Sequence, residues 1–587
     1  MNEKKINILK LIAKTIVYAF ACFGVLFILM LLGVLSLMSP KSRLADIPSN
    51  AVLNIDFNQN YGELRQDDFL AEFTSSSVYS VFDLVRAVNV AATDEKVKAI
   101  SANVNATNLS LAQIEDISEA LKYFQSTGKK IYLFSNTIGS FGGGTKEYYL
   151  ASLFDEIWMQ PNADIGITGI NIEVPFFKNI LSKIGVEPEF YTRYEYKTAV
   201  ESLLSAGFSK NYKQELEKLA SGLFDELSKG IALNRKKDIN DIKKAIDNAP
   251  IFSQDALQEG LIDKLAYRHA FEKFLQQTYN AELFDITDYM GHIDTAQGKN
   301  LKKIAFLVLD GVIESGESSN NPLNDTVIGS QTVLSQLKEL SLDKNLKALV
   351  LRINSPGGSY TASDEIRAAL INLKQEKNIP IVVSMSTYAA SGGYFVSLAG
   401  DYIFAEPSSI TGSIGVLGGK MVFKNLFDKL SINWGDIKYG KNAGILSFNQ
   451  KFTPSERDVF NRSLDLVYED FTSKVSSSRD IAFKEMDHVA RGRVWLGIEA
   501  QKLHLVDELG GIQSALLKAK ELANITSDDK FTIEYYPRRE TFQERLTKFI
   551  ETGGNLPMMK VFQGFDDIKV LRRLKYDAAL PPFVIKM

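Results

Sequence analysis

Ser391 opens the run Ser391-Gly392-Gly393-Tyr394, while the matching place 246 residues earlier reads Thr145-Lys146-Glu147-Tyr148. The pattern of loss runs the other way at Lys197, whose counterpart is Ala443. A serine hydroxyl becomes a nucleophile only beside a base, and a lysine serves as that base once burial or a nearby cation lowers its pKa. Neither half of the chain holds both groups at these places; together they hold one of each. Lys197 sits among Tyr194, Tyr196, Ala199 and Val200, neighbours that suit burial. Lys441, two places from the repeat-equivalent position, is the second candidate base. The competing readings are an N-cap for Ser391 and a solvated surface position for Lys197.

Acyl transfer also needs two N–H donors where the tetrahedral oxyanion forms. Gly392 follows the serine at a strand-to-helix turn and supplies the first. Asn354-Ser355-Pro356-Gly357-Gly358-Ser359 follows another strand-like run, and its glycines let backbone N–H groups approach a ligand. The second donor is therefore Gly358 or Gly357. Alone, either motif reads first as an ordinary turn or cap.

The alternatives are narrowed by composition. The four histidines are His269, His292, His488 and His504, and none falls between 292 and 488, the stretch holding Ser391. A Ser-His-Asp site would have to recruit one from far along the chain. The lone Cys22 lies in an apolar run, so neither a disulfide framework nor a cysteine zinc site is available. No cofactor or metal is called for. The net charge of −4 gives no support for a nucleic-acid partner.

The elements that position these groups occur twice. Ala51 to Asp56 matches Ala305 to Asp310, Asp94 to Ile100 matches Asp343 to Leu349, and Glu115-Asp116-Ile117 falls on Asp364-Glu365-Ile366. From Thr145 a constant shift of 246 pairs Asp155 with Asp401, Pro161 with Pro407, Gly166 with Gly412 and Lys178-Asn179 with Lys424-Asn425. Leu261-Ile262-Asp263 then matches Leu505-Val506-Asp507. Each half alternates apolar strand-like runs (Ala348 to Ile353, Ile381 to Met385) with amphipathic stretches (Ala362 to Leu373, Ser455 to Ser478, about Gln214 to Asn234). This rhythm predicts an α/β fold with a parallel sheet. The expected divisions are 1–45, a cytoplasmic N-terminus and anchor; 46–299 and 300–526, the two repeats; and 527–587, a C-terminal extension. In that extension Phe531 to Tyr536 reads as a strand, Thr541 to Glu551 as a helix, and Lys569 to Lys575 as a basic face turned to solvent or to a membrane surface.

Thr15 to Met38 is a run of 24 residues without a charge, long enough to span a bilayer as a tilted helix. Lys4, Lys5, Lys10 and Lys14 precede it, which sets the N-terminus in the cytoplasm and the body outside. A cleaved signal peptide is the competing reading, but its apolar region would be about 7–15 residues and end at small residues.

Ser391-Gly392-Gly393-Tyr394, Asn354 to Gly358 and Ile410-Thr411-Gly412-Ser413-Ile414-Gly415-Val416 resemble the motifs of the signal peptide peptidase A (protease IV) family. Tyr196-Lys197-Thr198-Ala199-Val200-Glu201 resembles the lysine motif of its long two-domain form, and Gly492-Arg493-Val494-Trp495 and Leu505-Val506-Asp507 fit its later segment. The resemblance covers the chain from the anchor to about residue 520. It implies tandem crotonase-like or Clp-protease-like domains, Ser391 as nucleophile, Lys197 as general base, Ser413 orienting the lysine amine, and Gly358 and Gly392 lining the oxyanion hole. It further implies a single-pass protein of the bacterial cytoplasmic membrane with its bulk on the extracytoplasmic side. The expected assembly is a homotetramer whose inner cavity admits extended peptides such as cleaved signal peptides. Whether the serine and lysine meet within one chain or between chains stays open. A crotonase-like acyl-CoA enzyme and a non-catalytic membrane scaffold are the alternatives, since fold alone does not choose among them.

Overall fold

Near-continuous apolar runs make strands buried on both faces, and such strands assemble into parallel sheets covered by helices. The computed structural model describes residues 46–65, 79–295, 301–319, 326–526, 529–538 and 584–587, with a few positions between 18 and 30. The expected membrane segment falls mostly outside the described residues, and 541–551 and 569–575 fall wholly outside them. Among the described residues no helix is long and apolar enough to cross a membrane.

In the first half, β1 (Ala51–Asp56), α1 (Val81–Thr93), β2 (Val97–Asn103), α2 (Leu111–Ser126), β3 (Lys130–Ser135), α3 (Thr145–Ser152) and β4 (Glu156–Met159) follow in the expected alternation. Later elements of this half include β5 (Asn171–Glu173), α4 (Lys178–Ile184), β6 (Glu187–Arg193), α5 (Lys210–Arg235), β7 (Lys264–Leu265) and β8 (Glu282–Asp285). The sheet order is β8-β1-β2-β3-β4-β7, parallel throughout.

The second half repeats this with β9 (Lys302–Asp310), α6 (Ser330–Leu342), β10 (Leu346–Ser355), α7 (Tyr360–Lys377), β11 (Ile381–Ala390), α8 (Gly392–Ser397) and β12 (Tyr402–Ala405). β13 (Ile410–Gly412), β14 (Val416–Val422), α9 (Lys424–Lys429), α10 (Pro454–Arg479), β15 (Val494–Leu496), β16 (Glu508–Leu509), α11 (Ile512–Leu522), β17 (Phe531–Tyr536) and β18 (Val584–Lys586) follow. The path β17-β9-β10-β11-β12-β16 is the counterpart of the first sheet, with β13 and β15 added beyond β11.

Duplicated hydrogen bonds explain the duplicated residues. Asp155 accepts from the Ile131 N–H as Asp401 accepts from that of Ile381, both at 2.9 Å. The Tyr148 hydroxyl donates to the Leu261 carbonyl and that of Tyr394 to Leu505. β17 pairs in parallel with β9 from Lys302↔Phe531 to Leu307↔Tyr536, as β8 pairs with β1. β17 thus holds in the second sheet the edge place that β8 holds in the first.

The halves are joined by a fully buried ion cluster. Arg352 on β10 reaches across to Glu63 (Nε to Oε2, 3.0 Å) and to Asp116 on α2. Asp116 also accepts from the Ile512 N–H at 2.8 Å, which brings α11 to the same point. A charge buried without partners costs several kcal/mol, so this cluster ties the position of one sheet to the other.

Candidate active site

β11 and β13 run side by side, with Ala390 opposite Gly412. The next residue on each is a serine, so the sheet sets Ser391 and Ser413 next to one another. Both leave their strands with positive φ, 52° for Ser391 and 50° for Ser413. That conformation is costly for a residue with a Cβ and persists where surrounding bonds impose it. Here the Ser391 N–H donates to the Gly412 carbonyl at 2.9 Å, and its own carbonyl accepts from the Phe395 N–H at 2.8 Å. The turn aims the Ser391 side chain away from the helix it precedes, and no side-chain capping bond is made.

Lys197 arrives from the other half. β6 lies antiparallel on β14 over a seven-residue ladder, from Glu187↔Val422 to Arg193↔Val416. The chain then turns at Tyr194 and passes over Gly492. A Cβ on Gly492 would sit 2.4 Å from the Lys197 nitrogen, and one on Gly415 would sit 2.8 Å from Gly492 Cα. Two glycines thus let three backbones stack closely enough to bury the lysine. Arg491 pairs with Glu195 and covers the Tyr194 ring, holding the turn from outside.

The lysine amine ends 3.0 Å from Ser391 Oγ, 2.9 Å from Ser413 Oγ and 2.9 Å from the Ser413 carbonyl oxygen. Lys197 is only 6% exposed. Burial pushes its pKa from the usual 10.5 down to about 7. All three partners are neutral oxygens, so nothing adjacent offsets the loss of hydration. Ser391, Lys197 and Ser413 converge within one chain.

The glycine loop after β10 closes the site. Gly357 and Gly358 have φ of 114° and 148°. A Cβ on Gly357 would lie 2.7 Å from Ser391 Cβ, and one on Gly392 would lie 3.3 Å from the Gly358 nitrogen. The Gly357 N–H is spent on Ser355 Oγ at 3.2 Å, and the Gly358 nitrogen lies on the side of Gly392. Gly392 is the first residue of α8, where helix N–H groups have no intrahelical acceptor.

The other candidates are not brought together. Lys441 is exposed, as are His269, His488 and His504. Among the described residues no cluster of His, Cys, Asp and Glu is arranged as a metal site. In the first half, Thr145 Oγ1 is turned inward to the Gly169 backbone, and Lys146 donates to the Thr107 and Leu109 carbonyls. A lysine side chain thus ties off the loop that corresponds to the Gly357-Gly358 loop. Nothing local in the sequence foretells the close approach at Gly492 to Lys197; the only signal is the glycine that opens Gly492-Arg493-Val494-Trp495.

The chain matches peptidase family S49 over residues 105–282 and 373–526, more than half its length and parts of both halves. It matches the Clp protease family over residues 319–410, in keeping with the parallel sheets. Protease 4 of Haemophilus influenzae is 30% identical over 541 residues, covering 87% of this chain and 86% of that one. Protease 4 of Salmonella typhi is 29% identical over 514 residues (85% and 80% covered). The chloroplastic serine protease SPPA of Arabidopsis thaliana is 28% identical over 463 residues (77% and 67%). These matches displace the acyl-CoA and scaffold alternatives. The chain belongs to peptidase family S49 and is a serine protease.

Proposed function

We propose that this protease is a membrane-anchored endopeptidase that cleaves extended hydrophobic peptides, remnant signal peptides among them, with a Ser391–Lys197 dyad. The observation that carries the dyad is the buried lysine amine 3.0 Å from Ser391 Oγ, with a pKa near 7. Neutral Lys197 takes the Ser391 hydroxyl proton as Oγ attacks the scissile carbonyl. The oxyanion is met by the Gly358 and Gly392 N–H groups. The ammonium then passes its proton to the leaving amine, and the freed amine activates water against the acyl-enzyme. Ser413 holds the amine toward Oγ through both its hydroxyl and its carbonyl oxygen.

The anchor rests on the charge-free run from Thr15 to Met38 and the lysines before it. With that orientation the site faces the extracytoplasmic side of a bacterial cytoplasmic membrane, where released signal peptides are at hand. Assembly as a homo-oligomer, a tetramer, is part of the same reading. The test is cleavage of a fluorogenic apolar peptide by wild type, Ser391→Ala, Lys197→Met and an equal mixture of the two variants. Both variants are expected to be inactive and the mixture to stay inactive. Full activity of Lys197→Met would refute the dyad.

A further inference from the structure

The segment Arg491-Gly492-Arg493 makes bonds on two sides. Toward the first half, the Arg491 carbonyl accepts from the Tyr196 N–H at 3.3 Å, and Gly492 lets the Lys197 backbone pass. Toward the second half, the Gly492 N–H donates to the Ile414 carbonyl at 2.8 Å, and the Arg493 carbonyl accepts from the Ser413 N–H at 2.7 Å. Three consecutive residues thus link the lysine turn to the strand end that presents Ser413. The side chains add a second link to the same turn. Arg491 lies over the Tyr194 ring at 4.5 Å, and Arg493 lies over the Tyr196 ring at 4.0 Å. The Arg493 guanidinium is itself fixed, because its Nη1 donates to the Asp487 carbonyl at 2.9 Å. A guanidinium over an aromatic face attracts the ring and covers it. The carboxylates around the segment are engaged elsewhere: Glu195 with Arg491, Glu215 with the Val494 N–H at 3.2 Å, and Asp487 with Arg491 at 3.5 Å.

The repeat shows where this arrangement is kept. Ile410 pairs with Leu496 and Thr411 with Trp495. In the first half Asp164 pairs with Phe252 and Ile165 with Ile251. Asp164 corresponds to Ile410, so Phe252 corresponds to Leu496, by the same offset of 244 that relates Leu261 to Leu505. Arg491, Gly492 and Arg493 then fall on Asp247, Asn248 and Ala249. The half that receives Lys197 has Arg-Gly-Arg, and the other half has neither the guanidinium groups nor the glycine. The strand pairing itself does not require Arg493, since Ala249 stands at the same place before the equivalent pair.

We propose that Arg493 is a positioning residue for the reaction: its guanidinium on Tyr196 and its carbonyl on Ser413 hold the Lys197 amine in register with the two serines. This inference rests on the Ser391–Lys197 dyad proposed above and gives the Gly492-Arg493-Val494-Trp495 motif a task. Without the guanidinium the Tyr196 ring is uncovered and water reaches the lysine turn. A better hydrated amine holds its proton more strongly. The loss is therefore largest where the amine is partly protonated and fades at high pH, where it is neutral in either case.

The test is kcat/KM against pH for the full chain in detergent on a fluorogenic apolar peptide, comparing wild type with Arg493→Ala, Tyr196→Leu, Tyr196→Phe and Lys197→Met. Arg493→Ala is expected to move the basic limb up from about 7 by about one pH unit. Activity then falls about fivefold at pH 7 and returns close to wild type above about pH 9. Tyr196→Leu is expected to reproduce this deficit, Tyr196→Phe to bring the limb back by restoring the ring, and Arg493→Ala with Tyr196→Leu to lose no more than either alone. A deficit equal at every pH would mark a general loss of structure and overturn the role, and a wild-type profile in Arg493→Ala would do the same. Additive losses in the double variant would uncouple the arginine from the ring, with the same consequence. Should Arg493→Ala fail to fold, the limbs of Tyr196→Leu and Tyr196→Phe decide the same question. An active Lys197→Met refutes the dyad itself; an inactive one beside an unmoved limb in Arg493→Ala refutes this inference alone.

Discussion

The pH dependence of peptide cleavage tests the chemistry most directly. Burial holds Lys197 at about 7 in place of 10.5. If the neutral amine is the base, kcat/KM follows its fraction, about one tenth of the plateau at pH 6 and nine tenths at pH 8. The rise over those two units is about tenfold and then levels off. A lysine at its ordinary value would instead give about a hundredfold rise over the same interval, still climbing at pH 9. The assay is a fluorogenic apolar peptide hydrolysed by the full chain in detergent from pH 5.5 to 10, at substrate well below KM. The same shift has a stability counterpart. The folded pKa lies below the unfolded one, so between about pH 7 and 10.5 the unfolded chain carries a proton that the folded chain lacks. Stability from this group therefore rises with pH across that window. From pH 6 to 9 the gain is about 3 kcal/mol, out of a total cost on the order of 5 kcal/mol for holding the ammonium in the seam. Lys197→Met should abolish cleavage and flatten the stability slope by that amount. A hundredfold climb without a plateau, or an unchanged slope in Lys197→Met, would refute the reasoning.

Three further outcomes are expected. Ser413→Ala should lower kcat about 10- to 100-fold with KM unchanged, because the amine keeps the Ser413 carbonyl but loses the hydroxyl that aims it; an unaltered kcat would remove Ser413 from the site. Gly392→Ala puts a Cβ 2.5 Å from Ser363 Oγ and 3.3 Å from the Gly358 nitrogen. It should cost about 100- to 1000-fold in kcat, and activity close to wild type would place the oxyanion elsewhere. Arg352→Ala should destabilise by about 3–5 kcal/mol, read by denaturant unfolding, since it strands Glu63 and Asp116 in the core. A loss under 1 kcal/mol would mean that water reaches the cluster.

Much of this arrangement is legible in the residues themselves, and the gaps have physical causes. The apolar run Ala348 to Ile353 becomes the centre of β10, and Ile381 to Met385 the first half of β11, because burial on both faces favours apolar side chains; the polar exceptions, Arg352 and Ser384, bond to each other. Ser391 and Lys197 stand out because each is kept in one half and lost from the other. β17 was readable as a strand but not as part of the second repeat. A parallel partner is joined through a long crossover, so nothing local in Phe531 to Tyr536 says that it will lie on β9. Arg352 gives a similar lesson. Within an apolar run it gives no sign of its two carboxylates, which lie 289 and 236 residues away along the chain. Gly492 is required by a backbone approach from the other half, and the strain at Ser391 and Ser413 by strands that fix where each must turn.

The divided site also explains how Lys197 would acquire the strength of a base. Among the described residues no neighbouring cation lowers the pKa of Lys197; burial does so. That burial exists only where β6 lies on β14 and where Gly415 and Gly492 let the backbone of the lysine turn sink against the second half. Separating the halves would therefore do more than move the amine from the serine. It would rehydrate the amine and return its pKa toward 10.5, and at pH 7 the neutral fraction would fall from about one half to about 0.0003. The contact that creates the geometry also creates the basicity, so a loosened seam loses both at once. Any substitution that wets the seam while leaving Lys197 and Ser391 in place, such as a charge at Phe423, should then shift the basic limb upward before it disturbs KM.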